Sequence, residues 1–266
     1  MPPRLFKNRT SCTGYLIIFL ASVVLQAINY FLPVYFQGVK GASPLLSGVY
    51  FLPFALAIIP FGGLAGAFMS KTGRYRPVHW AGFALSAVGV GLFSTLTQHS
   101  STGNWVGFQI LASGGSGLVF TATLSSTLAA LPESDVAVAT GTYSFVRSFG
   151  LVWGVTVASI ALNGQVNARL DAVSDPAVRS LLRDGGAYTF VREGSSRIAT
   201  LSEPTRGQVL DVYVEALRVI WLVCVACSCL GFFITFLEKY IEPRKSHTSE
   251  FGLARDGPAK SQVMEG

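Results

Sequence analysis

Residues 66–77 read Gly66-Ala-Phe-Met-Ser-Lys-Thr-Gly-Arg-Tyr-Arg-Pro77. An apolar run over 49–69 leads into this stretch, and another over 78–96 leaves it. Glycines with Lys71, Arg74 and Arg76 clustered between two such runs read as a short basic hinge joining two membrane helices on the cytosolic side. The rest of the chain agrees. Half of its 266 residues are hydrophobic and only 13% are charged, against roughly 25% charged in a soluble domain. Mean hydropathy is +0.48. Too few charges are present to cover a water-facing surface of this size, so lipid is the main solvent. A bilayer core of roughly 30 Å takes about 20 apolar residues per helix, and six windows supply them: 14–36, 49–69, 78–96, 105–131, 136–162 and 212–236. The expected fold is an all-α polytopic membrane protein with six transmembrane helices.

Charge distribution sets the expected topology. An N-terminal arm, 1–13, carries Arg4, Lys7 and Arg9, and a tail, 238–266, opens with Lys239, Arg244 and Lys245. The loop after the first window has only Lys40, and 97–104 has no Lys or Arg. The positive-inside rule therefore places both termini in the cytosol. The long connection 163–211 falls outside; its six Arg and six carboxylates balance, and 177–182 is expected to form a short interfacial helix. The polar tail is expected to be disordered. The first apolar run is too long for a cleaved signal peptide and lacks a small-residue cleavage site. Asn8-Arg9-Thr10 matches a glycosylation sequon, which a cytosolic arm never presents to the modifying enzyme. The net charge of +6 is scattered over loops and not interleaved with aromatics on one face, so no nucleic-acid partner is expected. Cys224-x-x-Cys227 has redox or zinc spacing, but nothing nearby completes a site, and packing is the expected role of these cysteines.

Two windows carry polar stripes. Gln26, Asn29, Tyr30, Pro33 and Gln37 recur on one helical face of the first, and Gln109, Ser113, Ser116, Thr123 and Thr127 on the fourth. A polar stripe in lipid is costly unless it faces protein or water. Helix–helix fastening through Ser and Thr and a solute cavity both answer that requirement, and the long amides Gln26 and Gln109 favour the cavity. The run Ser113-Gly-Gly-Ser-Gly117 is expected to bend or loosen its helix. Arg147 lies eleven residues beyond Val136, about 16 Å along a helix, with no acidic residue obviously placed to meet it. An arginine at that depth is either a functional group or a structural one bonded to carbonyls. Arg218, six residues into the last window, is expected to snorkel to the outer face. Gly62-x-x-x-Gly66 and the series Gly141, Gly150, Gly154 fit close helix packing. His79, His99 and His247 are scattered and the carboxylates sit at helix ends. No enzyme constellation, metal site or cofactor is therefore expected.

Four stretches together resemble the C-terminal half of a major facilitator superfamily transporter, most closely the fungal fourteen-span drug and toxin efflux carriers. They are Asn29-Tyr-Phe-Leu-Pro-Val-Tyr-Phe-Gln37 running into Ser43-Pro-Leu-Leu-Ser-Gly-Val49; the loop 66–76; Phe145-Val-Arg-Ser-Phe-Gly150; and Glu238-Lys-Tyr-Ile leading to Glu250-Phe-Gly-Leu253. Two departures stand out: Ser70 occupies the loop motif's usual Asp position, and no Pro follows Gly154. The resemblance implies alternating access between two rocking bundles, with proton-driven export of small amphipathic organic solutes. It also implies a plasma or vacuolar membrane location. Gln26, Asn29, Tyr30, Gln109, Ser113 and Arg147 are then the candidate solute-path residues, and Gly66, Lys71, Gly73, Arg74 and Arg76 the cytoplasmic hinge. The expected partners are the lipid bilayer, the solute and a complementary half. A rival expectation is a truncated half-transporter that moves nothing itself and is a membrane interaction module or a non-functional remnant.

Overall fold

The computed structural model describes residues 3–6, 8–129, 131–192, 198 and 200–238. Six long helices dominate: α1 (Arg9–Val34), α2 (Pro44–Thr72), α3 (Arg76–Phe93), α4 (Thr102–Ala129), α5 (Val136–Arg169) and α8 (Thr205–Ile234). Two short ones, α6 (Pro176–Leu182) and α7 (Gly186–Arg192), lie between α5 and α8. No strand occurs among the described residues. Five of the long helices are long and apolar enough to cross a membrane. The sixth, α3, has 18 residues and opens with Arg76 and His79.

Several helices continue past the apolar windows where polar partners meet them. Asn8 caps α1, its side-chain oxygen accepting from the Thr10 N–H at 2.9 Å, so the helix starts ahead of the apolar run. The sequon asparagine is thus a helix cap. At the other end of the bundle α5 and α8 each run about two turns past their apolar windows, where polar partners replace lipid. Asn167 and Asp184 exchange bonds of 3.2 and 3.1 Å, and Glu215 meets Arg169 at 3.8 Å and Arg218 at 3.6 Å. Arg218 is therefore ion-paired. Tyr213, buried on α8, donates to the Ala187 carbonyl at 2.6 Å and fastens α7 beneath it.

α1 and α4 form the centre, each with more than half of its apolar stretch buried; α2 buries only 11% of its own. α4 packs against α2, α3 and α1, while α1 packs against α5 and α8. α4 is helical throughout, including Ser113–Gly117. Its glycines serve approach instead. A Cβ on Gly115 would lie 2.5 Å from the Gly82 carbonyl oxygen and 2.7 Å from Ser86 Cα on α3, and one on Gly117 would lie 2.5 Å from the Ile58 carbonyl oxygen on α2. Backbones that close leave no room for a methyl group. Gly150 and Gly154 give α5 the same seat on α1, against the Phe19 and Val23 carbonyls.

Candidate functional site

α1 presents Gln26 and Asn29 half-buried and Tyr30 exposed. Pro33, inside α1, has no N–H, so the Asn29 carbonyl loses its usual helical donor. Polarity on this face therefore comes from backbone as well as side chain. The chain then continues as a single wide turn, Tyr35–Val39. Gln37 donates weakly to the Ser47 hydroxyl at 3.4 Å. Tyr30, Pro33, Val34 and Gln37 line a cavity of about 320 Å³ with Pro44, Tyr188 and Val191, so α7 closes one side of it.

Gln109 and Ser113 lie one turn apart on α4 and are fully buried. Both are turned to α2: Gln109 Nε2 donates to the Tyr50 carbonyl at 3.0 Å, and the Ser113 hydroxyl to the Phe54 carbonyl at 2.5 Å. These bonds are of the fastening kind. Gln109 is only half used, however. Its Oε1 is buried and accepts no hydrogen bond among the described residues, a deficit worth about 1–3 kcal/mol. Aromatic rings crowd the same region: Tyr50 lies 4.9 Å and Phe36 5.1 Å from Trp105, centroid to centroid. The other members of the α4 stripe bond within their own helix: Ser116 to Ala112, Thr123 to Val119 and Thr127 to Thr123.

Arg147 is exposed on α5, its guanidinium 5.1 Å from the Phe120 ring centroid. No carboxylate reaches it among the described residues. It stands apart from the Gln109 region, so the six candidate residues form an α1 face, an α4–α2 seam and a separate cation.

The basic loop is tightly built. Gly73 ends α2 at φ 67°, and its N–H donates to the Met69 carbonyl at 2.8 Å. That left-handed conformation is the one glycine adopts freely. The Arg74 N–H is held by the Thr72 hydroxyl at 3.2 Å. Lys71 and Arg74 are exposed, whereas Arg76 lies over Trp80 at 5.3 Å and Trp80 stacks on Phe236 at 5.2 Å. A Cβ on Gly66 would meet nothing within 4 Å; it borders a 310 Å³ recess with Met69, Ser70, Gly73 and Tyr75. At the opposite end Lys40 donates to the carbonyls of Gln98 at 3.0 Å and Ser100 at 2.6 Å, and Tyr35 to that of Thr97 at 2.8 Å. Partial burial holds the Lys40 ammonium below the ordinary lysine range.

Sequence reading passed over one buried cluster. His79, at the mouth of α3, sits between Glu238 and Thr123, with no solvent exposure at the His79 and Glu238 side chains or at Thr123. Glu238 begins the segment expected to be polar tail, and nothing in its local sequence signals a buried partner 159 residues away. Residues 239–266 lie outside the described residues. Cys224 is buried and Cys227 half-buried, and no group of three His, Cys, Asp or Glu that could hold a metal occurs among the described residues.

Comparison with known proteins bears on all of this. The profile described as Major Facilitator Superfamily matches residues 2–155. The chain is 46% identical over 263 residues to the efflux pump FUS6 of Gibberella fujikuroi, an overlap that covers 99% of this chain and 47% of the relative. It is 44% identical over 265 residues to the MFS-type efflux pump LUC4 of a Fusarium species, covering 100% and 47%. It is also 44% identical over 266 residues to the MFS efflux transporter aclA of Aspergillus oryzae, covering 100% and 48%. The chain thus spans about half the length of the curated relatives it matches.

Proposed function

The chain belongs to the major facilitator superfamily, a family of membrane transporters, and we propose that its six long helices form one bundle of an efflux carrier for small amphipathic organic solutes, working by alternating access with proton coupling. The observation that carries this reading is Gln109: a fully buried amide whose oxygen accepts nothing, beside the Phe36, Tyr50 and Trp105 rings. A solute that brings an N–H or O–H donor to Gln109 and an apolar body to the rings satisfies both halves of that environment. Gln26, Asn29 and Tyr30 then extend the path along α1, and Ser113 holds α4 to α2 beneath it. Arg147 offers its charge to a complementary bundle or to an anionic group on the solute.

Gly66, Lys71, Gly73, Arg74 and Arg76 serve as the hinge, with both termini in the cytosol and the plasma membrane as the site of action. The test is export of an amphipathic fluorescent solute from proteoliposomes. Gln26→Leu with Gln109→Leu is expected to abolish export while membrane insertion persists; undiminished export by the double variant overturns the assignment of the path. A second reading rests on α2 and α5, whose apolar stretches are only 11% and 22% buried. Those faces suit contact with a second bundle, and the chain then acts as a membrane interaction module. Wild-type vesicles that move no solute, with the protein recovered in complex with another membrane chain, favour it.

A further inference from the structure

Two glycines on one turn of α4 place its neighbours. Gly115 lets α3 approach at Gly82 and Ser86, and Gly117 lets α2 approach at Ile58 and Gly62. α2 and α3 are joined by a short link, 73–75, yet each packs chiefly on α4. The space left between them is a groove of about 550 Å³, with Leu118 of α4 at its back. α2 lines it with Leu64, Phe68 and Lys71, and α3 with Pro77 and Ala81. Leu64, Phe68 and Lys71 share one face of α2 and span about 10 Å along it. Leu64 is 62% and Phe68 42% exposed, so the groove opens sideways from the bundle. Lys71 is the one charged residue in its lining and stands at the end nearest the basic loop. α5, the other helix with an open face, packs mainly on α1 and α8, whereas α3 packs on α4 and α8. A second bundle laid against α2 and α5 therefore leaves the α3 flank to lipid.

We propose that this groove binds an anionic phospholipid, with an acyl chain along Leu64 and Phe68 and the phosphate at Lys71 and Arg74. Walls and cations select different parts of one molecule. Every lining residue except Lys71 is apolar, and a surface of that kind is covered by hydrocarbon in preference to water. The Lys71 ammonium and the Arg74 guanidinium make no ion pair among the described residues. Arg76 lies over Trp80, and Glu238, the acid that follows α8 at this end, is turned inward to His79. Positive charge at the mouth of the groove is therefore unbalanced. A basic pocket between helix ends at the cytoplasmic surface suits an anionic headgroup. A phosphatidylcholine headgroup carries its own quaternary ammonium and gains less there. A free phosphate meets the cations but leaves the apolar walls uncovered. The bound lipid bridges α2 to α3 beside the hinge, where the two helices otherwise rely on α4. Only the leaflet rests on the proposed cytosolic placement of the hinge; the binding rests on neither that placement nor the solute.

The test is native mass spectrometry of the full chain in detergent, with phosphatidylserine and phosphatidylcholine of identical acyl chains added at equal concentration. Phosphatidylserine is expected to be retained about fivefold better or more, the factor that one cation near the membrane surface supplies. Lys71→Gln and Arg74→Gln are each expected to lower its retention by about fivefold. Arg206→Gln, exposed at the opposite end of α8, is expected to leave it unchanged. Ala81→Trp fills the groove while keeping both cations, and is expected to lower retention as much as loss of a cation does. Monodisperse elution shows that each variant is folded. Equal retention of the two lipids overturns the proposal, as does retention unaffected by Lys71→Gln or by Ala81→Trp. Displacement of the lipid by soluble glycerophosphoserine at comparable concentration also overturns it, because the cations alone then make the site. No solute enters the measurement, so its outcome and that of the export assay are independent.

Discussion

The tightest helix crossing is open to a one-methyl test. Gly115→Ala would place a carbon 2.5 Å from the Gly82 carbonyl oxygen and 2.7 Å from Ser86 Cα. Ordinary contact begins near 3.4 Å. Both obstacles are main-chain atoms inside a helix, so no side-chain rotation relieves them, and α3 and α4 must part by about 1 Å. Separation on that scale forfeits roughly a quarter to a half of the dispersion energy of the contacts involved. The expected cost is about 1–3 kcal/mol, the usual range for forcing an extra methylene into a packed site. For a chain of this size that corresponds to a fall in thermal midpoint of about 2 to 12 °C. The assay is loss of the monodisperse peak on fluorescence-detected size exclusion after heating in detergent. Gly141→Ala is the matched control, because a Cβ there meets nothing within 4 Å and alanine raises helix propensity. Equal midpoints for the two variants would refute the claim that α4 is seated by glycine contact.

Two further outcomes follow from the loops. Gly73 sits at φ 67°, so Gly73→Ala is expected to cost about 1–2 kcal/mol, with Gly73→Asn recovering part of the loss; equal thermal midpoints for glycine and alanine contradict a left-handed cap. Lys40, its ammonium held below the ordinary value of 10.5 by burial, releases its proton in the folded chain before the unfolded one does. Stability should therefore rise with pH between the lowered value and 10.5, and Lys40→Met should abolish that rise; parallel pH profiles for the two proteins count against the burial of Lys40.

Much of the architecture was legible because lipid imposes a simple rule. Twenty apolar residues make a helix, and each of the six windows contains one. Their ends were harder to place, since hydrogen bonding continues through polar residues wherever a partner waits, as Asn167 finds Asp184 and Arg169 finds Glu215. α7, which Tyr213 on α8 fastens through the Ala187 carbonyl, has no apolar signature long enough to notice. In the candidate site the amide at Gln109 could be seen, but its partner could not, because a main-chain carbonyl is the same at every position. The glycine run at 113–117 looked like a weakness when taken alone, and only the neighbouring backbones show it to be a surface. His79 and Glu238 lie too far apart in sequence for any local pattern to join them.

The crossing of α3 and α4 also bears on how the protein is made. α3 is 18 residues long and starts with an arginine and a histidine. α4 carries no charged residue, yet it is the least apolar of the five spans. α3 by itself falls short of the length and apolarity of a spanning helix, and α4 meets them by the least margin. Packed together, they hide their polar groups on one another. The short connection between them makes the two a hairpin. A substitution that separates them is therefore expected to lower the yield of inserted protein as well as the stability of the finished bundle.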